Sequence, residues 1–155
     1  MANNELLRSI RDALGFDTAT MIGIFREAGR EVGESAVTAF LKSEDEDGYI
    51  PCSNPIMGFF LDGLIIHNRG RREGSPQQPE KPLSELSANT ILKKLRIALN
   101  LKEDDLLEVF KCAGVDLTKN ELTALFRKPG HKHYKECTAQ LLNDFLAGVA
   151  RRRNV

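Results

Sequence analysis

The sequence predicts an all-α protein of two tandem, similar four-helix units, helix-turn-helix-like in layout and related by internal duplication. Three observations carry that prediction. Apolar residues recur at helical spacing, and nothing alternates with period two over a useful length, so strands are not expected. An offset of 85 aligns the two halves without a gap from Asn4/Asn89 to Gly63/Gly148. A Pro/Gly/Arg-rich stretch, 67–88, separates them as a linker. The expected division is 1–66 for the first unit, 89–150 for the second and 151–155 for a basic tail.

Each element has its own signal. Helix one starts near Asn4 and carries Leu6, Leu7, Ile10, Ala13 and Leu14; Ile91, Leu92, Leu95, Ala98 and Leu99 repeat the pattern. Helix two starts near Thr18 and near Glu103, where Glu103, Asp104 and Asp105 oppose the positive end of the helix dipole. Ala-Gly at 28–29 and at 113–114 supplies the residue that best tolerates a left-handed C-cap. Helix three follows closely, with Thr118 and Glu121 forming a capping box that Gly33 lacks in the first copy. Helix four starts near Ser53 and Thr138, either of which suits an N-cap. It carries Ile56, Phe59, Phe60 and Leu64 in one copy and Leu141, Leu142, Phe145 and Val149 in the other. Identical pairs such as Arg11/Arg96, Phe25/Phe110, Tyr49/Tyr134, Cys52/Cys137 and Phe60/Phe145 hold the same register. Two copies are too few for a solenoid, so a pair of helical units is expected.

At 155 residues the chain can bury a sizeable core. No apolar run approaches the roughly 20 residues of a membrane helix. The first residues, M-A-N-N-E-L-L-R, lack the basic-then-apolar layout of a secretory signal. Three widely spaced cysteines make no disulfide framework. The expectation is a cytoplasmic protein without a membrane partner. Formal net charge is zero, yet residues 1–66 carry five Lys/Arg against eleven Asp/Glu, and residues 89–155 carry thirteen against eight. That gradient excludes an evenly neutral surface and points to a basic face for an anionic partner, or to unlike halves that dock.

The charge inversion concentrates at one corner. Leu125–Cys137 reads L-F-R-K-P-G-H-K-H-Y-K-E-C, the densest basic run in the chain; its counterpart, Phe40–Cys52, reads F-L-K-S-E-D-E-D-G-Y-I-P-C. Arg127, Lys128, His131, Lys132, His133 and Lys135 suit phosphates, with Tyr134 among them to stack on a base. Arg69, Arg71 and Arg72 in the linker extend the same character. Helix two, a Gly-containing turn and helix three have the layout of a helix-turn-helix, whose second helix presents its first residues to base edges. Those residues are Glu34, Ser35 and Thr38 in copy one, and Lys119, Asn120 and Thr123 in copy two. Against this stands a protein–protein reading, in which the basic loop docks on Glu44, Asp45, Glu46 and Asp47, within one chain or between copies.

Chemistry beyond binding has little support. His131, His133 and Cys137 give H-x-H-x3-C, a weak metal pattern, and copy one puts Glu46 and Gly48 where the histidines stand. Cys52 and Cys137 are expected as small buried residues at the start of helix four. A Cys137–His133 nucleophile is conceivable on proximity in sequence alone. Phosphate-cradling loops, nucleophile elbows and H-E-x-x-H are missing, so neither catalysis nor a cofactor is expected.

Three strings, F-L-D-G-L-I-I-H-N-R-G-R-R-E-G at 60–74, N-T-I-L-K-K-L-R-I-A-L-N-L-K-E-D-D at 89–105 and L-F-R-K-P-G-H-K-H-Y at 125–134, resemble the YehS-like family of bacterial proteins. The resemblance spans nearly the whole chain. It implies a small cytoplasmic protein built from a repeated helical unit and carries over no catalytic residues. The leading reading is a non-enzymatic, regulatory binding module whose basic second half contacts nucleic acid largely through phosphates. The alternative is a protein-interaction or self-assembling adaptor with complementary acidic and basic corners.

Overall fold

The structure, a computed structural model, describes residues 2–69 and 86–153. Among those residues every regular element is an α-helix, and the chain divides into two compact units, Met1–Leu86 and Ser87–Val155. The first unit runs α1 (Asn3–Leu14), α2 (Thr18–Glu27), α3 (Glu34–Phe40) and α4 (Asn54–Arg69). The second repeats it as α5 (Ala88–Ala98), α6 (Glu103–Cys112), α7 (Lys119–Leu125) and α8 (Ala139–Arg153).

Local signals set most of the ends. The Asp17 carboxylate accepts the Thr20 N–H at 2.8 Å and opens α2; its pKa is lowered by those bonds to Thr20. Helix α6 starts without such a cap, and Asp105 reaches back to the Lys102 N–H at 2.9 Å. Thr118 and Glu121 exchange hydrogen bonds at the start of α7, whereas Gly33 offers α3 no side chain. Ser53 and Thr138 cap the fourth helices through the N–H groups of Ile56 and Leu141. Gly29 and Gly114 end α2 and α6 in the left-handed region, at φ 79° and 81°. There the Arg30 N–H reaches the Phe25 carbonyl, and the Val115 N–H reaches that of Phe110, closing a Schellman turn in each copy.

The fourth helix packs chiefly on the second in each unit. Phe25 meets Phe60 with ring centroids 5.3 Å apart, and Phe110 meets Phe145 at 5.7 Å. Around them Leu7, Ile10, Met21, Ile24 and Leu64 fill the first core, and Leu92, Leu95, Leu106, Val109 and Leu142 the second. Gly63 and Gly148 make this packing possible: a Cβ on either would overlap the carbonyl oxygen of Ile24 or of Val109. Only glycine lets the two backbones approach so closely.

Two expected boundaries shift. Helix α4 continues through Arg69, and Ala88 already belongs to α5, capped by the Ser87 side chain. The expected linker is therefore helical at both edges, and its middle, 70–85, with Arg71 and Arg72, lies outside the described residues. The expected basic tail is, over 151–153, the last turn of α8. Arg151 donates to the Cys112 carbonyl at 2.9 Å, and Arg152 pairs with Asp105 at 3.2 Å and Glu108 at 3.7 Å. Cations there complement the negative end of the helix dipole. Among the described residues no helix is long and apolar enough to cross a membrane.

Candidate functional site

The basic corner hangs from one buried side chain. Asn89, in the first turn of α5, donates through Nδ2 to the carbonyls of Leu125 and Lys135, both at 2.9 Å. Its Oδ1 accepts the Cys137 N–H at 2.8 Å. The loop between α7 and α8 is thus tied at both ends to a helix far away in sequence. The Lys135 N–H adds a bond to the Ala124 carbonyl at 3.0 Å. Asn4 does the same in the first unit, donating to Phe40 and Ile50 and accepting from the Cys52 N–H, all at 2.9 Å. These asparagines are the only buried polar or charged side chains among the described residues, and both are satisfied. Sequence reasoning marked them only as the first matched pair of the repeat. The signal was there: Asn4, Leu7 and Ile10 stand three residues apart, so a polar group lies on the apolar face and needs partners.

Between its tied ends the loop is exposed and cationic. Pro129-Gly130 makes a tight turn, with Gly130 at φ 92° and the His131 N–H bonded to the Lys128 carbonyl at 3.0 Å. His131 Nδ1 accepts the His133 N–H at 3.0 Å, and its Nε2 faces Arg127 Nη1 at 3.3 Å. Lys135 Nζ lies 3.5 Å from Glu121. Bonds from Thr118, then the Lys135 charge, hold the Glu121 carboxyl below its ordinary range. Lys119, Lys128 and Lys132 are exposed and form no ion pair with any described residue.

Helix α7 and the loop border a half-open cavity of about 500 Å³. Asn120, Thr123, Arg127, His133, Tyr134 and Lys135, six of the residues singled out in the sequence for binding, stand on its wall, with Glu121 and Ala124 completing it. Lys119 precedes Asn120 on α7, and Lys128, His131 and Lys132 belong to the loop beyond. Arg69 belongs to the last turn of α4, in the first unit.

The corresponding corner of the first unit is built alike and charged oppositely. Glu44, Asp45, Glu46 and Asp47 are all exposed. The Ser43 N–H, 3.1 Å from Glu46, is the main cause of a lowered Glu46 pKa, to which Lys42 and Arg8 contribute. Lys42 Nζ donates to the Asp47 carbonyl at 2.7 Å, and Arg8 donates to the Lys42 carbonyl at 2.8 Å.

The cysteines go inward. Cys52 and Cys137 are 6% and 4% exposed, and burial pushes their thiols up to about 12 and about 11. A thiol in that state is neutral near pH 7 and a poor nucleophile or metal ligand. Among the described residues no group of three or more His, Cys, Asp or Glu is gathered closely enough to hold a metal ion. The H-x-H-x3-C spacing therefore does not fold into a ligand cluster: the two imidazoles lie 5.9 Å apart on the exposed loop, while Cys137 is drawn into the core by the Asn89 bond.

Eight helices among the described residues, in two copies of one unit with an inverted charge at one corner, define the class of protein. Comparison with known sequences supplies the family. The profile of a family described as protein of unknown function (DUF1456) matches residues 3–70 and again 88–154. The uncharacterized protein YehS of Escherichia coli (strain K12) is 36% identical over 156 aligned positions, which cover 100% of this chain and 98% of that one. The chain belongs to the DUF1456 family. No solved structure matches it.

Proposed function

We propose that the chain is a non-enzymatic, cytoplasmic nucleic-acid-binding module that grips phosphates with the second repeat. The observation that carries the reading is the Asn89-tied loop, which holds Arg127, Lys128, His131, Lys132, His133 and Lys135 exposed, with Arg127, His133 and Lys135 on one concave surface. Cations on a backbone tied at both ends lose little loop freedom on binding, and each phosphate neutralised releases counterions from the nucleic acid. The helix-turn-helix-like succession of α6, a Gly114 turn and α7 supports the reading, with Asn120 on the cavity wall and Lys119 exposed beside it in sequence.

The test is an anisotropy series on nuclease-treated protein with double-stranded DNA, single-stranded DNA and structured RNA. Binding is expected to be saturable and to weaken with salt. Lys132→Glu or Lys135→Glu alone should flatten the salt dependence by about one phosphate's worth, and the two together should abolish binding. Glu46→Lys with Asp47→Lys should leave it intact or strengthen it. Failure of every nucleic acid to bind at low salt would sink the proposal. A second reading is favoured by the four exposed carboxylates that the first unit carries on the equivalent loop. In that reading acidic and basic corners recognise each other between copies or on a protein partner. Sedimentation then shows an assembly that Glu46→Lys with Asp47→Lys disrupts.

A further inference from the structure

One tyrosine has been released from its structural duty. In the first unit the Tyr49 hydroxyl bonds to Asn4 Oδ1 at 3.3 Å and so belongs to the tie that holds the loop. Tyr134 occupies the same position in the second unit, yet its hydroxyl bonds to no described residue, and the side chain stands on the wall of the cavity. Across the cavity wall the Asn120 amide is exposed and likewise bonds to no described residue. An amide presents a donor and an acceptor side by side, the pattern that matches a base edge.

The rim adds an anion site. His131 Nδ1 accepts the His133 N–H at 3.0 Å, and Nε2 lies 3.3 Å from Arg127 Nη1, so the guanidinium stands beside the imidazole on the exposed rim. A guanidinium carries five N–H donors, and the exposed Arg127 keeps others for an anion. A phosphate oxygen has the lone pairs to take them.

We infer that the second repeat takes one unstacked nucleotide, its base in the cavity beside Tyr134 and Asn120 and its phosphate at Arg127 and His131. This rests on the nucleic-acid reading above and names its substrate: single-stranded nucleic acid in preference to duplex. The cavity, about 500 Å³, falls within the range of small-ligand pockets. A base locked in a stacked pair cannot turn its face into this half-open concavity, whereas one splayed from a single strand can. Lys128 and Lys132 then hold neighbouring phosphates without regard to strandedness.

The experiment measures anisotropy at one fixed salt concentration for a mixed-sequence strand, its annealed duplex and the same strand with its bases removed. The intact strand is expected to bind about tenfold more tightly than either of the others, the range that stacking one base on an aromatic ring supplies. Tyr134→Ala and Asn120→Ala should each erode that preference while leaving the weaker, duplex-level binding. Arg127→Gln should weaken a nucleoside monophosphate titration followed at the His131 ring nitrogens by NMR. If Tyr134→Ala fails to fold, Asn120→Ala and Arg127→Gln, both at exposed positions, decide the matter. Equal affinity for strand and duplex, or a preference untouched by these variants, overturns the inference while the nucleic-acid reading stands. If no nucleic acid binds at all, both fall.

Discussion

The two units hang the same loop from the same asparagine and then put opposite charge on it. Asn4 and Asn89 form matching bonds to two carbonyls and one N–H, yet the loop they hold carries four carboxylates in one copy and a cluster of lysines, histidines and arginine in the other. Their flanks differ too. In the first unit Phe25, Val32, Ala36, Phe40, Ile56 and Phe59 line an apolar cavity of about 530 Å³, over which Arg30 stacks on Phe59 at 3.9 Å. At positions equivalent to Ala36, Pro55 and Phe59 the second unit has Glu121, Gln140 and Asp144, the last two bonded to each other at 2.9 Å. The lesson is a separation of labour: interior bonds and close helix packing set the shape, and the surface on that shape is free to reverse its charge.

If the shape is shared, equivalent interior changes should do equivalent damage. The largest effect is expected from Gly63→Ala and Gly148→Ala. Each added methyl would meet a backbone carbonyl, which no rotamer change can relieve, so the second and fourth helices must separate. A cost of roughly 3 kcal/mol or somewhat more follows for that unit. Amide hydrogen exchange on the full chain reads both units in one molecule, and the untouched unit serves as its own reference. The comparison breaks if one glycine tolerates alanine and the other does not.

Next come the asparagines. Asn89→Ala strands the Leu125 carbonyl and the Cys137 N–H away from partners, at roughly 2–3 kcal/mol. Asn4→Ala should cost slightly more, because the Tyr49 hydroxyl also loses its acceptor. Asn89→Asp sharpens the point. A carboxylate can donate to neither carbonyl, whereas the protonated acid keeps one O–H for one of them and an oxygen for the Cys137 N–H, so the protonated form fits better. Its folded pKa therefore lies above the unfolded value of about 3.9. Stability is present below that unfolded value and is lost as pH rises through the folded pKa, so the variant should be least stable at neutral pH. Urea unfolding at pH 4 and pH 7 tests it; a variant as stable at pH 7 as at pH 4 contradicts the bonding scheme.

What the sequence disclosed and what it hid divide along the same physical line. Helix periodicity, the Schellman glycines and the Thr118–Glu121 box are local patterns, readable within a few residues, and they correctly placed the helices. The cationic loop was legible as charge, and the structure gathers six of the predicted residues around one cavity. The asparagine ties were hidden because their partners lie 36 to 48 residues away. So was the need for Gly63 and Gly148, which depends on a helix reached only by tertiary packing. The end of α4 escapes sequence reasoning for a different reason. Its apolar stripe fades at Ile66, but polar His67, Asn68 and Arg69 continue the helix, and a loss of apolar residues is not a loss of helix.

The smallest expected effect tests whether the copies can be made more alike. Thr118 caps α7 through the Glu121 N–H at 3.1 Å, and Glu121 returns the bond to the Thr118 N–H at 3.2 Å. Thr118→Ala should cost the second unit about 1 kcal/mol. The reverse change, Gly33→Thr, should strengthen the first. Gly33 sits at φ −76° and ψ 167°, which threonine adopts readily, and a Cβ there meets nothing within 4 Å. The residue three places on is Ala36, so only half the box can form. The gain, from the new cap and a less flexible unfolded chain, is about 0.5 kcal/mol. Pairing the change with Ala36→Glu supplies the returning bond and should raise exchange protection in α3 further, because the hydroxyl and the carboxylate then satisfy two of the free N–H groups at its start. If Gly33→Thr lowers protection instead, the backbone equivalence of the two N-termini is refuted, and the match between the units ends at the third helix.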